Sequence, residues 1–507
     1  AEILEAQPKW GWFMVWANWL ETHNAPERVK EIYALPRTLT RDAADPREWG
    51  GPPPTAHASS AEGSASSAPR PDSARLALAA NVRRTLRDET LGPWYPRAVD
   101  RASGGFLSQF DFAWNATGPQ DKMIVTQARH VWTTARAAQF YGGDRGPDSA
   151  YLAESAHGFR FLRDRMWDRQ YGGFHWLVTR DGTPKTDAGS REIKQAYGVA
   201  FGIYALAGYY DVSHDSAALR LAQDAFRWLD AHAHDPVHRG YFNYMERDGT
   251  PLRAGWAKDP PKDQNSSIHV MEALTELYRV WPDPVVRDRL SEMLALIRDT
   301  IVVPPGTLTQ FSTAEWVPVS WRDSSEAARK ADRYFHDHVS FGHDIETAYL
   351  MMEASEALGF EHDTTTLRAA KRMVDHSVRY GFDDAAGGFY EAGYYFKDRP
   401  TTLAIVNDTK NWWAQAEGLN TLLIFADLYP NDPLRYGEKF RKQWAYIQAN
   451  VVDHEHGGWY QGGIDKEPAQ RTNLKGQIWK AAYHDGRALM NVARRLEHPS
   501  PPAGDAR

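Results

Sequence analysis

Six side chains stand out because their positions repeat. Counting forward from the glycine of successive Gly-aromatic turns, Arg129 and Tyr197 each fall 24 residues on, Trp413 25, His484 26 and His269 29, while His343 falls 37 after Gly306. If each opens an equivalent helix, one cation, three imidazoles and two aromatic rings converge on one pocket. Imidazole titrates near neutrality and can take or give a proton at pH 7. His269 with Glu272, and His343 with Glu346, are i,i+3 pairs, so each carboxylate can orient or charge-tune its own ring. Trp413 and Glu417 are i,i+4 neighbours, where an indole offers an apolar platform to the C–H face of a sugar ring and a carboxylate accepts from its hydroxyls. A lone histidine near a helix start is usually a surface or core residue, and the chain has 19. Three at matching places weigh against that. Trp412 and Trp413 point about 100° apart on a helix, so at least one is structural. His336, His338, His343 and two His-x-x-Glu steps could suggest a metal, but di-metal bundles use Glu-x-x-His with two further glutamates. The order is reversed, and a metal is not expected.

The positioning elements follow from the turns. Gly105, Gly173, Gly240, Gly388 and Gly458 each precede an aromatic residue, at intervals of 68, 67, 148 and 70 residues. The long interval is about two periods, and Gly306 in Pro304-Pro305-Gly306 sits where the missing turn belongs, which makes six repeats. The turns read as architecture, glycine supplying a positive φ and the aromatic plugging the barrel floor. Each interval holds two apolar-periodic segments of helical length, such as 194–210 with 216–231 and 266–280 with 284–300. After Gly458 there is room for one long helix, 474–495, and before Gly105 for one unpartnered helix, 73 to about 91. The first helix completes the last pair, so the pattern describes a closed all-α ring, an (α/α)6 barrel of six helix pairs, rather than an open solenoid with polar caps.

Composition narrows the rest. The 507 residues include no cysteine, which closes disulfide, thiolate-metal and cysteine-nucleophile chemistry. A net charge of −7 with interspersed signs gives no footprint for nucleic acid or anionic lipid. The longest uncharged stretch, 195–210, is too short for the roughly 18 residues of a membrane span. A soluble protein is expected, the cytoplasm slightly favoured and export open, with the oligomeric state unassigned. Residues 50–72 are so rich in Pro, Gly, Ser and Ala that a disordered linker is expected. Residues 1–49 form an extension of unassigned role, 73–496 the barrel and 497–507 a disordered tail.

The segments Phe341-Gly342-His343-Asp344-Ile345-Glu346, Lys410-Asn411-Trp412-Trp413-Ala414-Gln415-Ala416-Glu417 and Trp479-Lys480-Ala481-Ala482-Tyr483-His484-Asp485-Gly486-Arg487, with Lys194-Gln195-Ala196-Tyr197 and Ala128-Arg129-His130-Val131-Trp132, resemble the N-acylglucosamine 2-epimerase superfamily. They are most similar to its cellobiose 2-epimerase branch. The resemblance covers about residues 73–496 and implies an (α/α)6 barrel acting on a free reducing sugar without an obligatory cofactor. It implies that His343 and His484 are the acid/base pair, that Arg129 and His269 serve the reacting centre, and that Tyr197, Glu346, Trp413, Glu417 and Trp479 touch substrate. Three departures flank the site: Ser267 for a family histidine, Ala481-Ala482 for Cys-Pro, and Asp485 for Asn. These bear on disaccharide specificity. Two imidazoles on opposite faces of an opened sugar favour 2-epimerisation, with the C2 proton removed through an enediolate that Arg129 and His269 would stabilise. Return of the proton to C1 by one base would instead make an aldose–ketose isomerase. A glycoside hydrolase would need two carboxylates across the pocket, for which Glu346 and Glu417 could be mistaken. A non-catalytic sugar-binding protein would have no use for the histidines.

Overall fold

A computed structural model describes residues 71–143, 146–186, 191–360 and 363–499. The expected extension, the linker as far as residue 70 and the tail from residue 500 lie outside the described residues. Twelve long helices follow in order: α1 (Ser73–Arg84), α2 (Ile124–Gly142), α3 (Ser149–Phe161), α4 (Ala196–Ser213), α5 (Ser216–His232), α6 (Gln264–Val280), α7 (Pro284–Leu296), α8 (Phe341–Ala357), α9 (Thr364–Tyr380), α10 (Trp412–Leu428), α11 (Tyr436–Asn450) and α12 (His484–Glu497). The even-numbered helices touch in sequence, α2 to α4, α6, α8, α10, α12 and back to α2, and α1 packs on α12. The ring is closed, with the odd-numbered helices outside it.

Burial explains which helix goes where. Helix α4 has one charged residue, Asp211, and is buried on every side, as a helix apolar all round must be. Its partner α5 shows apolar and polar faces and buries only the former. Outer helices α1, α3, α5, α7 and α9 start at an aspartate whose carboxylate accepts from first-turn amides: Asp72, Asp148, Asp215, Asp283 and Asp363. Inner helices α2, α4, α8, α10 and α12 begin without a side-chain cap. Their amide dipoles point toward the pocket, where partial positive charge favours an anion.

Short antiparallel strands tie neighbouring repeats. Lys122–Met123 pairs with Leu177–Val178, Ile193–Gln195 with Tyr244–Glu246, Lys262–Asp263 with Phe311–Ser312, and Val339–Ser340 with Ala392–Tyr395. These lead-ins carry a feature the repeat did not announce. In five repeats a fully buried lysine donates to the aspartate that opens the Gly-aromatic turn: Lys122 to Asp100 at 3.0 Å, Lys194 to Asp168 at 2.9 Å, Lys262 to Asp235 at 2.8 Å, Lys410 to Asp383 at 2.9 Å, and Lys475 to Asp453. Each aspartate also receives turn amides, so the loop has one fixed shape. In the sixth repeat Val303 and Val339 stand at the aspartate and lysine positions, the Val303 carbonyl accepting from the Gly306 amide as that of Asp100 does from Gly104. Both charges have gone together, which is what the cost of a single unpaired buried charge demands.

Two expectations change. Residues 474–483 are not helical, and α12 starts at His484. Lys475 is committed to Asp453, so the chain cannot coil there, and the extra residues carry Trp479 to the pocket. The turn aromatics do not plug a floor. Phe174 inserts beside Gly202 of inner helix α4 and Trp167 after outer helix α3, and Phe389 beside Gly418 and Phe382. They wedge between the two helix layers, where a Cβ on Gly202 would lie 2.3 Å from Phe174.

Candidate functional site

The first two turns of all six inner helices face one cavity of about 170 Å³. Arg129 from α2, Tyr197 from α4, His269 from α6, His343 and Glu346 from α8, Trp413 from α10 and His484 from α12 line it, and Trp479 comes from the lead-in to α12. Of the nine residues predicted from sequence, only Glu417 lies outside this lining. Trp413 lies near both outer imidazoles, its ring centroid 4.7 Å from that of His343 and 5.8 Å from that of His484. Trp479 is 45% exposed, at the mouth, 5.9 Å from Trp176. Trp412 is the buried tryptophan of the pair, packed over the Lys480 ammonium at 5.0 Å.

Beneath the cavity lies an ionic layer centred on Arg487. Its Nη2 donates to Glu346 Oε1 at 2.6 Å and Glu417 Oε1 at 2.8 Å, and its Nη1 to Tyr483 Oη at 2.6 Å and to Glu272 Oε1. Tyr483 donates to Glu272 and Tyr349 to Glu417. Two carboxylates in turn hold imidazoles: Glu417 Oε1 lies 2.6 Å from His484 Nδ1, and Glu272 Oε2 2.7 Å from His269 Nδ1. Against a carboxylate the ring nitrogen must carry its proton, which leaves Nε2 as the lone-pair end. The pair His269–Glu272 is as the spacing predicts. His343–Glu346 is not: Glu346 turns down to Arg487, and His343 Nδ1 instead meets Ser340 Oγ at 3.0 Å and Gln264 Nε2 at 3.1 Å. Glu417 likewise holds His484 rather than facing the cavity.

The electrostatics follow from burial. Removal from water holds His484 down to about 3, in spite of Glu417, and depresses His269 as well. His343 is pushed well below its ordinary value by burial and by the neighbouring His269, His338, His484 and Arg129. Burial thus favours the neutral form of all three rings. Glu272 is lowered to about 2, against its own burial, chiefly by Arg487 and then His269. Glu346 is raised to about 8 by burial and by the charge of Glu417. That shift favours its protonated form, and its Oε2 has no protein partner. With Glu346 protonated the layer holds two carboxylates and one guanidinium, a single net negative charge under the imidazoles. Arg129 is fixed above them, donating to the Trp479 carbonyl at 3.1 Å and Tyr197 Oη at 3.2 Å, with its guanidinium over Phe201 and Tyr483. Sequence reasoning missed the role of Arg487, three residues after His484 on one helix face, and of Gln264 and Ser340.

Among the described residues no helix is long and apolar enough to cross a membrane. A cellobiose 2-epimerase from Ruminococcus albus is 28% identical over 429 residues, covering 82% of this chain and 99% of that protein. A D-mannose isomerase from Marinomonas mediterranea is 22% identical over 412 residues, covering 81% and 95%. The solved structure of cellobiose 2-epimerase from Spirochaeta thermophila is similar with a TM-score of 0.70 at 28% identity, covering 84% of this chain and 98% of that one. Residues 104–486 match the profile of N-acylglucosamine 2-epimerase (GlcNAc 2-epimerase), and the chain belongs to that family.

Proposed function

We propose that this enzyme is a sugar 2-epimerase that opens the ring of a reducing-end aldose of the glucose/mannose type, free or at the end of a disaccharide, and inverts C2 by proton transfer between His343 and His484. The observation that carries the reading is the pair of imidazoles, one of them backed by a carboxylate, beside one indole in a pocket lined by all six inner helices. In the open-chain sugar the C1 aldehyde acidifies C2–H. One imidazole Nε2 takes that proton, the C–H electron pair becomes the C1–C2 double bond, and negative charge moves to O1. Arg129, with Tyr197 and His269 beside it, is placed to donate to that oxygen, and the inner-helix N-termini favour the same charge. The other imidazole, as its imidazolium, returns a proton to the opposite face of C2. Glu417 stabilises the charged form of His484, as an acid held ionised beside an imidazole does in hydrolytic triads. Glu346, neutral and with a free Oε2, donates to a sugar hydroxyl, while Trp413 and Trp479 offer apolar faces.

The glycosidase reading needs two carboxylates open to the substrate. Glu346 and Glu417 are both tied to Arg487 and fully buried, which disfavours it. The test is incubation in D2O with glucose, mannose, cellobiose, lactose and N-acetylglucosamine, followed by NMR. Deuterium at C2 with interconversion of C2 epimers is expected for at least one sugar. Ketose as the main product would assign the isomerase instead, and no exchange in any sugar would overturn both.

A further inference from the structure

The two imidazoles assigned to C2 are held by different kinds of partner. His484 Nδ1 rests on the Glu417 carboxylate, whereas His343 Nδ1 meets only the Gln264 amide and the Ser340 hydroxyl, both neutral. The groups facing His343 from other elements are His269 on α6, His338 on the preceding segment, His484 on α12 and Arg129 on α2, and all disfavour a positive charge there. On its own helix Asp344 turns away to accept from the Leu308 amide, and Glu346 is bound to Arg487. An imidazolium at 343 has no counter-ion; one at 484 has. Gln264 Nε2 can only donate to a bare Nδ1; for Nε2 of His343 to act as the base, Nδ1 must carry its proton and donate to Ser340 Oγ, with the Gln264 amide turned to present its otherwise unpartnered Oε1.

We propose that Gln264 and Ser340 are positioning residues that make the two histidines unequal, so that the proton the pair takes up as the sugar binds goes to His484, beside Glu417, and His343 begins as the base. The inference rests on the proposed acid/base pair. It carries a specificity consequence: the epimer whose C2–H faces His343 is the one this state deprotonates. Afterwards the proton sits on His343, and the pair must exchange it with water before taking the same epimer again. Atoms balance, since C2 loses one proton to His343 and gains one from His484.

The test gives His343 the counter-charge it lacks. In Gln264→Glu, a carboxylate at hydrogen-bond distance raises a histidine by about 1–3 pH units, so the acid limb of kcat/KM for C2 exchange moves upward by at least about one unit. Ser340→Asp approaches the same nitrogen from the other side and gives the same shift if the first variant fails to fold. Gln264→Leu removes the amide without adding charge: kcat falls about tenfold with KM little changed, and the limb does not rise. Thermal unfolding confirms that each variant is folded. An acid limb unmoved in both folded carboxylate variants overturns the inference. His343→Asn separates the two levels: if it keeps wild-type exchange, the acid/base reading itself fails, whereas an inactive His343→Asn with an unmoved Gln264→Glu profile sinks only the inequality.

Discussion

Buried ions in the turns and around Arg487 are balanced differently. In the turns a lysine meets the turn aspartate. Lys262, for example, donates to Asp235, the Arg239 carbonyl at 2.9 Å and the Ala314 carbonyl at 2.7 Å, one acceptor for each ammonium hydrogen. Five repeats carry the lysine–aspartate pair, with Arg180 and Arg247 adding to Asp100 and Asp168 and Asp465 adding to Lys410, so cation and carboxylate meet locally in each. Around Arg487 one guanidinium meets three carboxylates, a count that leaves two net negative charges, or one if Glu346 stays protonated. A closed pair holds shape. An unbalanced cluster can favour a proton arriving on a neighbouring imidazole, which is what transfer at carbon needs. The sixth repeat reinforces the contrast, since where the turn pair is absent both members are replaced by apolar residues.

Crossing the two regions produces the largest effects and the sharpest break. His484→Asn keeps a hydrogen-bonding side chain and is expected to lower C2 exchange by at least about 10³-fold while costing no more than about 2 kcal/mol of unfolding free energy. Lys262→Met leaves Asp235 buried without its cation and is expected to cost about 3–5 kcal/mol in denaturant unfolding, with kcat in the folded fraction changed by less than about threefold. Loss of activity at full stability in the lysine variant, or the reverse in the histidine variant, would erase the distinction between the regions.

A smaller effect is expected one step from the chemistry. Glu417→Gln keeps the shape of the side chain but removes the charge that stabilises the His484 imidazolium, so kcat should fall about 10- to 100-fold, with KM changed little because Glu417 lies outside the cavity lining. A rise in KM at constant kcat would place Glu417 on the substrate after all.

Much of this was legible because it is periodic. Helix starts at Asp148, Asp215 and Asp283, the turn glycines, and the residues about 25 positions beyond them all follow from local rules. The failures share a cause, which is that a side chain's partner is chosen in three dimensions. The i,i+3 spacing that correctly pairs His269 with Glu272 also pairs His343 with Glu346, and only the position of Arg487 across the ring shows why the second carboxylate turns away. The lysines had a signal of their own, lying two residues before inner helices α2, α4, α6 and α10 and 22 to 27 residues after their aspartates. Lys475 keeps the aspartate spacing, 22 residues after Asp453, but lies nine rather than two residues before α12 because of the inserted loop, and apolar periodicity alone therefore carried the last helix too far toward the N-terminus.

The smallest expected effect separates the regions by the sign of their pH dependence. Asp235 and Asp383 are held down to about 2, against their own burial, chiefly by their lysines. An unfolded aspartate titrates near 3.9, so the stability these pairs contribute is present above about pH 4 and is lost as pH falls toward 2. Glu346 runs the other way. Its folded value of about 8 lies above the roughly 4.3 of an unfolded glutamate, so over that interval the folded state binds the extra proton. Its contribution is complete below about pH 4 and disappears as pH rises through 8. Glu346→Gln keeps the hydrogen bond from Arg487 and cannot ionise. Between pH 6 and 9 the wild-type Tm should therefore fall by a few degrees more than the variant's, while both lose stability equally between pH 4 and 2. Equal slopes on the alkaline side would mean that Glu346 is ionised at neutral pH, and the cluster around Arg487 would then carry two net negative charges rather than one.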